Sequence, residues 1–213
     1  MIPYRLFYRL GFAPWESRDV AEMWRPLLEG PDLPAPGRAL DVGCGSGRDA
    51  VFLAKRGWRV TAVDNVDKAL ASAKQRAAEE GVEVKWVRGD VAELGRLGLE
   101  PGYDLLYDVG CIHGLSDSAR RGAAAGLTQL AAPGATLLIG AFKANRHPFL
   151  PRGMSKDDVV ALLQDGWDLQ ESRSTVTETG NAPAFVRRAD PTVYRLTRHA
   201  PAATSSASKA SSE

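Results

Sequence analysis

The feature that most constrains this chain is a short strand-like segment, residues 38–42, running directly into a glycine-spaced turn: Asp41-Val42-Gly43-Cys44-Gly45-Ser46-Gly47. Glycines at a strand end let the backbone turn tightly and let a ligand approach it closely, because no Cβ intervenes. Residues 48–56 then read as a helix stopping at Gly57, and its first N–H groups are left open towards the turn. The same strand-then-helix unit recurs. Residues 58–64 (WRVTAVD) predict a second strand and 67–80 an Ala-rich helix ending at Gly81. Residues 82–88 (VEVKWVR) predict a third strand, with period-2 patterning. A Leu/Gly-rich loop leads to a fourth strand over 103–109 (YDLLYDV) and a helix over 118–132 ended by Pro133-Gly134. Residues 135–142 (ATLLIGAF) are apolar throughout, as suits a buried central strand. After the long loop KANRHPFLPRGM, Ser155 caps a helix with Asp158 in the capping-box position. Strands near 168–178 and 192–198 are expected to pair antiparallel.

Repeated βα units predict an α/β fold: a Rossmann-like, seven-stranded, mostly parallel sheet with an antiparallel edge strand and helices on both faces. Ligands in such sheets bind at the carboxyl ends of the strands, near the point where strand order reverses. One domain is expected over residues 1–199. Its first 18 residues form an aromatic arm or lid, residues 19–29 a short helix and residues 30–37 a Pro/Gly linker, while a low-complexity tail over 200–213 is expected to be disordered. With 27 Lys+Arg against 26 Asp+Glu, the 213-residue chain has a formal charge of +1 and no basic stripe, which argues against nucleic acid as a partner. Two distant cysteines and no secretory signal suggest reduced thiols and a cytoplasmic location. Three histidines without Cys/His spacing suggest no metal site. No apolar run reaches the roughly 18 residues of a membrane span. A monomer or homodimer is expected.

The turn's spacing discriminates among cofactors. A dinucleotide motif is G-x-G-x-x-G around a pyrophosphate, whereas here the pattern is D-x-G-x-G-x-G. The Asp41 carboxylate suits a cationic amino group and would repel a pyrophosphate. S-adenosylmethionine (SAM) carries an ammonium and a sulfonium. Asp64, ending the second strand, can accept ribose hydroxyls, with the Asn65 amide beside it. Asp90, after the third strand, can accept from an adenine amine while Val91 packs on the ring. The alternative for all three aspartates is turn-favouring residues that cap helices.

These segments, ALDVGCGSGRDA, VDNVDKAL, RGDV, YDLLYDVGCIHGL and AAPGATLLIGAF, resemble the class I SAM-dependent methyltransferases over residues 12–198. Within that class the chain is most similar to the thiopurine, tellurite-resistance and heterocyclic-toxin methyltransferases. The resemblance implies SAM as cofactor and S-adenosylhomocysteine as product. It implies cofactor contacts from Asp41, Gly43, Cys44, Gly45, Asp64, Asn65, Asp90, Val91 and Asp108. It also implies methyl transfer to an O, N or S atom of a small aromatic or heterocyclic molecule. Ala135 stands where the family usually has a second glycine, the arm lacks a Gly-x-Pro after its tryptophan, and no N/D-P-P-Y/F tetrapeptide follows the fourth strand. A dedicated natural-product methyltransferase and a non-catalytic SAM-binding module are the alternatives, and a nicotinamide oxidoreductase fits the glycine spacing poorly.

Methyl transfer from a sulfonium depends chiefly on alignment, and a hydroxyl or ring N–H acceptor gains from a base. His113, just past the fourth strand, is the candidate general base, with Asp108 as its orienter or as a substrate-holding group. In the alternative, His113 packs structurally and Asp108 makes a turn. Phe12, Trp15, Ile112, Phe142 and Phe149 are candidates to wall an apolar substrate pocket, with Arg152 as a partner for an anionic group.

Overall fold

The computed structural model describes residues 28–29, 33–143, 152–175 and 189–200. The aromatic arm with Phe12 and Trp15, most of the helix expected over 19–29, Phe149 and the tail beyond 200 lie outside the described residues.

Within them the strands are β1 (Arg38–Val42), β2 (Arg59–Asp64), β3 (Lys85–Arg88), β4 (Tyr103–Val109), β5 (Ala131–Ala141), β6 (Trp167–Ser174) and β7 (Thr192–Arg198). The helices are α1 (Arg48–Lys55), α2 (Asp67–Glu79), α3 (Asp117–Leu130) and α4 (Lys156–Leu163), with 3₁₀ segments at Val91–Arg96 and Ile112–Gly114. The sheet order is β3-β2-β1-β4-β5-β7-β6. The first five strands run parallel, while β7 is antiparallel to both β5 and β6. The antiparallel strand therefore lies one place inside the edge, which β6 forms. From β1 the chain moves one way to β2 and β3, then crosses to β4 on the other side of β1. That reversal opens a crevice at the carboxyl ends of β1 and β4.

Period-2 alternation sorts the side chains into two cores. Leu40, Leu106, Leu137 and Ile139 face α3 and α4, joined by Ala123, Leu127 and Val159. Ala39, Leu105, Tyr107 and Leu138 face α1, joined by Ala50, Leu53 and Trp58. The same alternation sends Asp41 and Tyr107, which are register partners on β1 and β4, to the α1 side, and Asp108 to the α3 side.

Boundaries differ from expectation at β3, which starts at Lys85, at β6, which ends at Ser174, and around the junction of α3 and β5. Helix α3 ends at Leu130, and β5 starts before Pro133-Gly134 rather than after it. Ala131 already pairs with Tyr103, and the ladder resumes at Leu105 with Thr136. Proline has no N–H for the ladder, so the intervening residues bulge out, with Gly134 at φ 73°. The Leu/Gly-rich loop is also more ordered than its composition suggests. Its 3₁₀ segment lies against glycines of α3. A Cβ on Gly126 would stand 2.7 Å from the Gly95 nitrogen and from the Leu94 Cβ.

That contact sets a sign. In an exposed helix, Gly→Ala stabilises by about 1 kcal/mol. At Gly126 the same change should destabilise by roughly 1–3 kcal/mol through overpacking. Urea denaturation of Gly126→Ala checks it, and a variant more stable than wild type would contradict the packing described.

Candidate active site

The glycine turn after β1 is held by its neighbours. The N–H groups of Gly43 and Cys44 both donate to the Val63 carbonyl, at 2.8 and 3.0 Å. The Asp64 carboxylate accepts from Gly45 N–H at 2.9 Å and Val66 N–H at 2.8 Å. Arg76 of α2 donates through Nε to the Ser46 carbonyl at 3.1 Å. Gly43 adopts φ 76°, and a Cβ there would lie 2.5 Å from the Cβ of Cys111. Glycine at this position lets the β1 turn touch the turn after β4.

Around this turn sits a group of acids. Asp41 is 3% exposed, and its Oδ2 has no hydrogen-bond partner among the described residues. Burial holds its carboxyl well above the usual range, and Asp49, Asp108 and Asp64 push it further the same way. Asp49, in the first turn of α1, accepts from the Tyr107 hydroxyl at 3.2 Å and pairs with Arg48 at 3.1 Å. Burial raises the Tyr107 phenol, with Asp49 adding to the shift. Burial also raises both thiols, with help from the carboxylates, so Cys44 and Cys111 are neutral thiols rather than reactive thiolates.

Asp64 and Asn65 are half-buried at the end of β2, beside the turn. Asp90 is exposed and caps the 3₁₀ segment through Ala92 N–H at 2.9 Å. Val91 has its side chain in the α3-side core, 5% exposed. Arg152 is exposed and pairs with Asp117 at 3.0 Å. Ile112 is buried, and Phe142 stacks on the His113 ring at 5.3 Å between centroids.

The geometry corrects the expected Asp108–His113 pair. Asp108 is fully buried, and its carboxylate accepts from Ile112 N–H at 3.0 Å. Burial raises it to about 7, against the pull of the Ile112 and Cys111 N–H groups. It caps the turn that follows β4, and no hydrogen bond joins it to His113 among the described residues. His113 is 1% exposed. Its Nδ1 accepts from Phe142 N–H at 2.9 Å, so the neutral ring carries its proton on Nε2. Burial, then the Arg120 charge, lowers it to about 3. A ring with Nδ1 occupied, Nε2 protonated and so low a pKa is a poor general base at neutral pH. Both residues make the contacts that the structural alternative expects, Asp108 with Ile112 N–H and His113 with Phe142 N–H.

Sequence reasoning passed over Asp49, Tyr107, Arg76 and Arg120. An acid in the first turn of the helix after a glycine turn was a usable signal for Asp49. Arg76 and Tyr107 are tied to it by contacts across 30 and 58 residues, and Arg120 by one contact seven residues back and another 33 residues on.

The acids fit a cationic ligand. Their mutual repulsion and the orphaned Asp41 oxygen favour an ammonium or sulfonium and disfavour a pyrophosphate. Asp41, Asp64 and the backbone of the Gly43–Gly45 turn are the groups that would hold it.

Residues 39–134 match the family described as a methyltransferase domain. A relative named 2-heptyl-1-hydroxyquinolin-4(1H)-one methyltransferase, from Mycobacteroides abscessus, is 29% identical over 63% of this chain and 60% of its own length. A ubiquinone biosynthesis O-methyltransferase from Hahella chejuensis is 30% identical over 61% of this chain and 53% of its own. The matches thus span little more than half of those curated relatives. Among solved structures, the N-methyltransferase NodS from Bradyrhizobium japonicum WM9, in complex with S-adenosylhomocysteine, superposes with a TM-score of 0.66 at 21% identity, covering 89% of this chain and 90% of that one. Residues 39–134 are thus similar to a methyltransferase domain, and the described sheet has the Rossmann-like fold of solved methyltransferases; both findings agree with SAM as cofactor. Among the described residues no helix is long and apolar enough to cross a membrane.

The His113 environment makes an acid-stability prediction. Unfolded histidine titrates near 6.5 and folded His113 near 3, so its contribution is present above pH 6.5 and is lost as pH falls towards 3. The slope is at most about 1.4 kcal/mol per pH unit. Asp41 and Asp108, both raised, act oppositely: their contribution is lost as pH rises through their folded values. His113→Asn keeps an acceptor for Phe142 N–H and removes the titrating ring together with its stack on Phe142, a loss that does not depend on pH. Between pH 6 and 4, wild type should lose stability relative to this variant in urea titrations. Parallel profiles would show that His113 titrates normally.

Proposed function

We propose that this chain is an enzyme that transfers the methyl group of SAM to an O, N or S atom of a small aromatic or heterocyclic molecule. The observation that carries the reading is the acid-ringed crevice at the carboxyl ends of β1 and β4, with the Asp41 Oδ2 buried and unpartnered. SAM supplies a methyl group on a sulfonium, and its net positive charge complements that crevice. Asp41, Asp64 and the glycine turn hold the cofactor. Asp108 and His113 shape the turn beside the reacting groups and take no proton from the acceptor.

Without a base from this pair, the nucleophile is one that ionises readily near neutral pH, such as an N-hydroxy group, an acidic phenol or an aryl thiol. Alignment then supplies most of the acceleration. The hydroxyquinolone and ubiquinone-pathway relatives act on small molecules by name, and this supports a small acceptor here. A cytoplasmic enzyme, monomeric or dimeric, is part of the same proposal. The tied-up His113 favours a second reading, a SAM-binding module without turnover.

Methyl transfer from labelled SAM to hydroxyquinolones, phenols, aryl thiols and N-heterocycles separates the two readings. Turnover on one or more acceptors is expected, with the rate following the acceptor's own ionisation. Tight S-adenosylhomocysteine binding with no turnover on any acceptor would favour the binding module.

Asp41→Asn tests the cofactor site itself. Calorimetry should show SAM affinity reduced by about tenfold, while the ligand-free variant gains stability because a buried, repelled carboxyl is gone. Wild-type SAM affinity should rise with pH as the raised Asp41 carboxyl ionises, since a cation favours the carboxylate and its binding releases protons. Unchanged affinity in Asp41→Asn would remove this carboxylate from the site.

A further inference from the structure

Behind the crevice lies a buried polar knot that the cofactor site does not use. Arg120, in the first turns of α3, is 8% exposed. One guanidinium nitrogen donates both to the His113 carbonyl and to the Gly153 carbonyl, the latter at 2.7 Å. His113 in turn accepts from Phe142 N–H through Nδ1. Met154 N–H donates back to the Phe142 carbonyl at 2.8 Å, and the Tyr194 hydroxyl donates to the Met154 carbonyl at 3.2 Å.

These bonds join three pieces of chain that sequence separates: the turn after β4, the end of β5, and the segment leading into α4. The approach is close enough to demand glycine at 153, where φ is 71° and any Cβ would collide with the Lys143 carbonyl. A buried guanidinium is costly to desolvate. Here it is held by backbone carbonyls, and their positions are what it fixes.

We propose that Arg120 and His113 are positioning residues: they lock the end of β5 and the segment entering α4 against the turn after β4, and the wall so formed selects the methyl acceptor. The proposal rests on the methyltransferase reading above. It places acceptor choice on the α3 side of the sheet and cofactor binding on the α1 side, separated by the period-2 alternation of β4. Removing the knot should therefore change acceptor recognition and spare the cofactor.

The test uses the full chain with Arg120→Met and Arg120→Lys. The acceptors are 2-heptyl-1-hydroxyquinolin-4(1H)-one and the same ring without its alkyl chain. Arg120→Met should raise KM for the alkyl quinolone about tenfold, with kcat within about threefold, and alter the preference between the two acceptors. Calorimetric affinity for S-adenosylhomocysteine should stay within about twofold, and Arg120→Lys, which keeps a donor for the carbonyls, should recover most of the loss. Equal KM values, or parallel loss of cofactor affinity, would overturn the proposal.

Amide hydrogen exchange gives a second measurement that needs neither turnover nor acceptor. Phe142 and Met154 should exchange faster in Arg120→Met while the 43–47 turn does not, and unchanged protection would overturn the lock. A wild-type chain that binds S-adenosylhomocysteine but methylates neither quinolone would overturn acceptor selection for this substrate class. Failure to bind the cofactor at all would instead overturn the methyltransferase reading.

Discussion

Two adjacent parallel strands, β1 and β4, send the chain away in opposite directions, and the crevice between their carboxyl ends governs the rest of the structure. No crossover covers that gap, so backbone N–H groups and strand-end side chains gather there without a ladder to pair them. The glycine turn occupies one side. It is stabilised by the Val63 carbonyl and the Asp64 carboxylate and kept close to Cys111 by the missing Cβ of Gly43. Everything proposed for the site follows from acids gathered around a buried Asp41 oxygen that has no hydrogen-bond partner among the described residues, with Arg48 only partly offsetting their repulsion.

That arrangement stores an electrostatic imbalance. Desolvation raises Asp41 and Asp108, and neighbouring carboxylates raise Asp41 further, which is unfavourable for folding at high pH and, at Asp41, favourable for a cationic ligand. The same acids that disfavour a pyrophosphate make a sulfonium and an ammonium suitable guests. Stability and binding are thus coupled through the same protons.

The other side of the sheet is built differently. There most polar groups are paired internally: Asp108 by the turn after β4, His113 Nδ1 by Phe142 N–H, and one Arg120 nitrogen by two carbonyls, while the buried Arg120 Nε has no partner among the described residues. A histidine whose Nδ1 accepts and whose surroundings exclude a second charge is suited to holding a shape rather than to exchanging protons. Under the proposed methyl transfer, the acceptor's own acidity is then the variable on which the chemistry turns.

Much of this was legible from residue order. The alternation of apolar strands with helices, the D-x-G-x-G-x-G spacing and an acid at the end of β2 are local patterns, and local patterns specify backbone conformation and which side chains share a face. They specified the capping box at Ser155 and Asp158, the order of strands and helices, and the strand ends at which the cofactor crevice is proposed. They misplaced the start of β5, because a Pro-Gly pair reads as a stop although a bulge can absorb it. They also paired Asp108 with His113, because spacing along a chain does not show which face a side chain takes after a turn. Only tertiary contacts decided that Asp108 would cap, that His113 would accept from Phe142, 29 residues away just past β5, and that Arg120 would bind carbonyls on two separate segments. Those outcomes depend on burial and on competition among donors for the same acceptor, quantities that arise only once distant segments have been brought together.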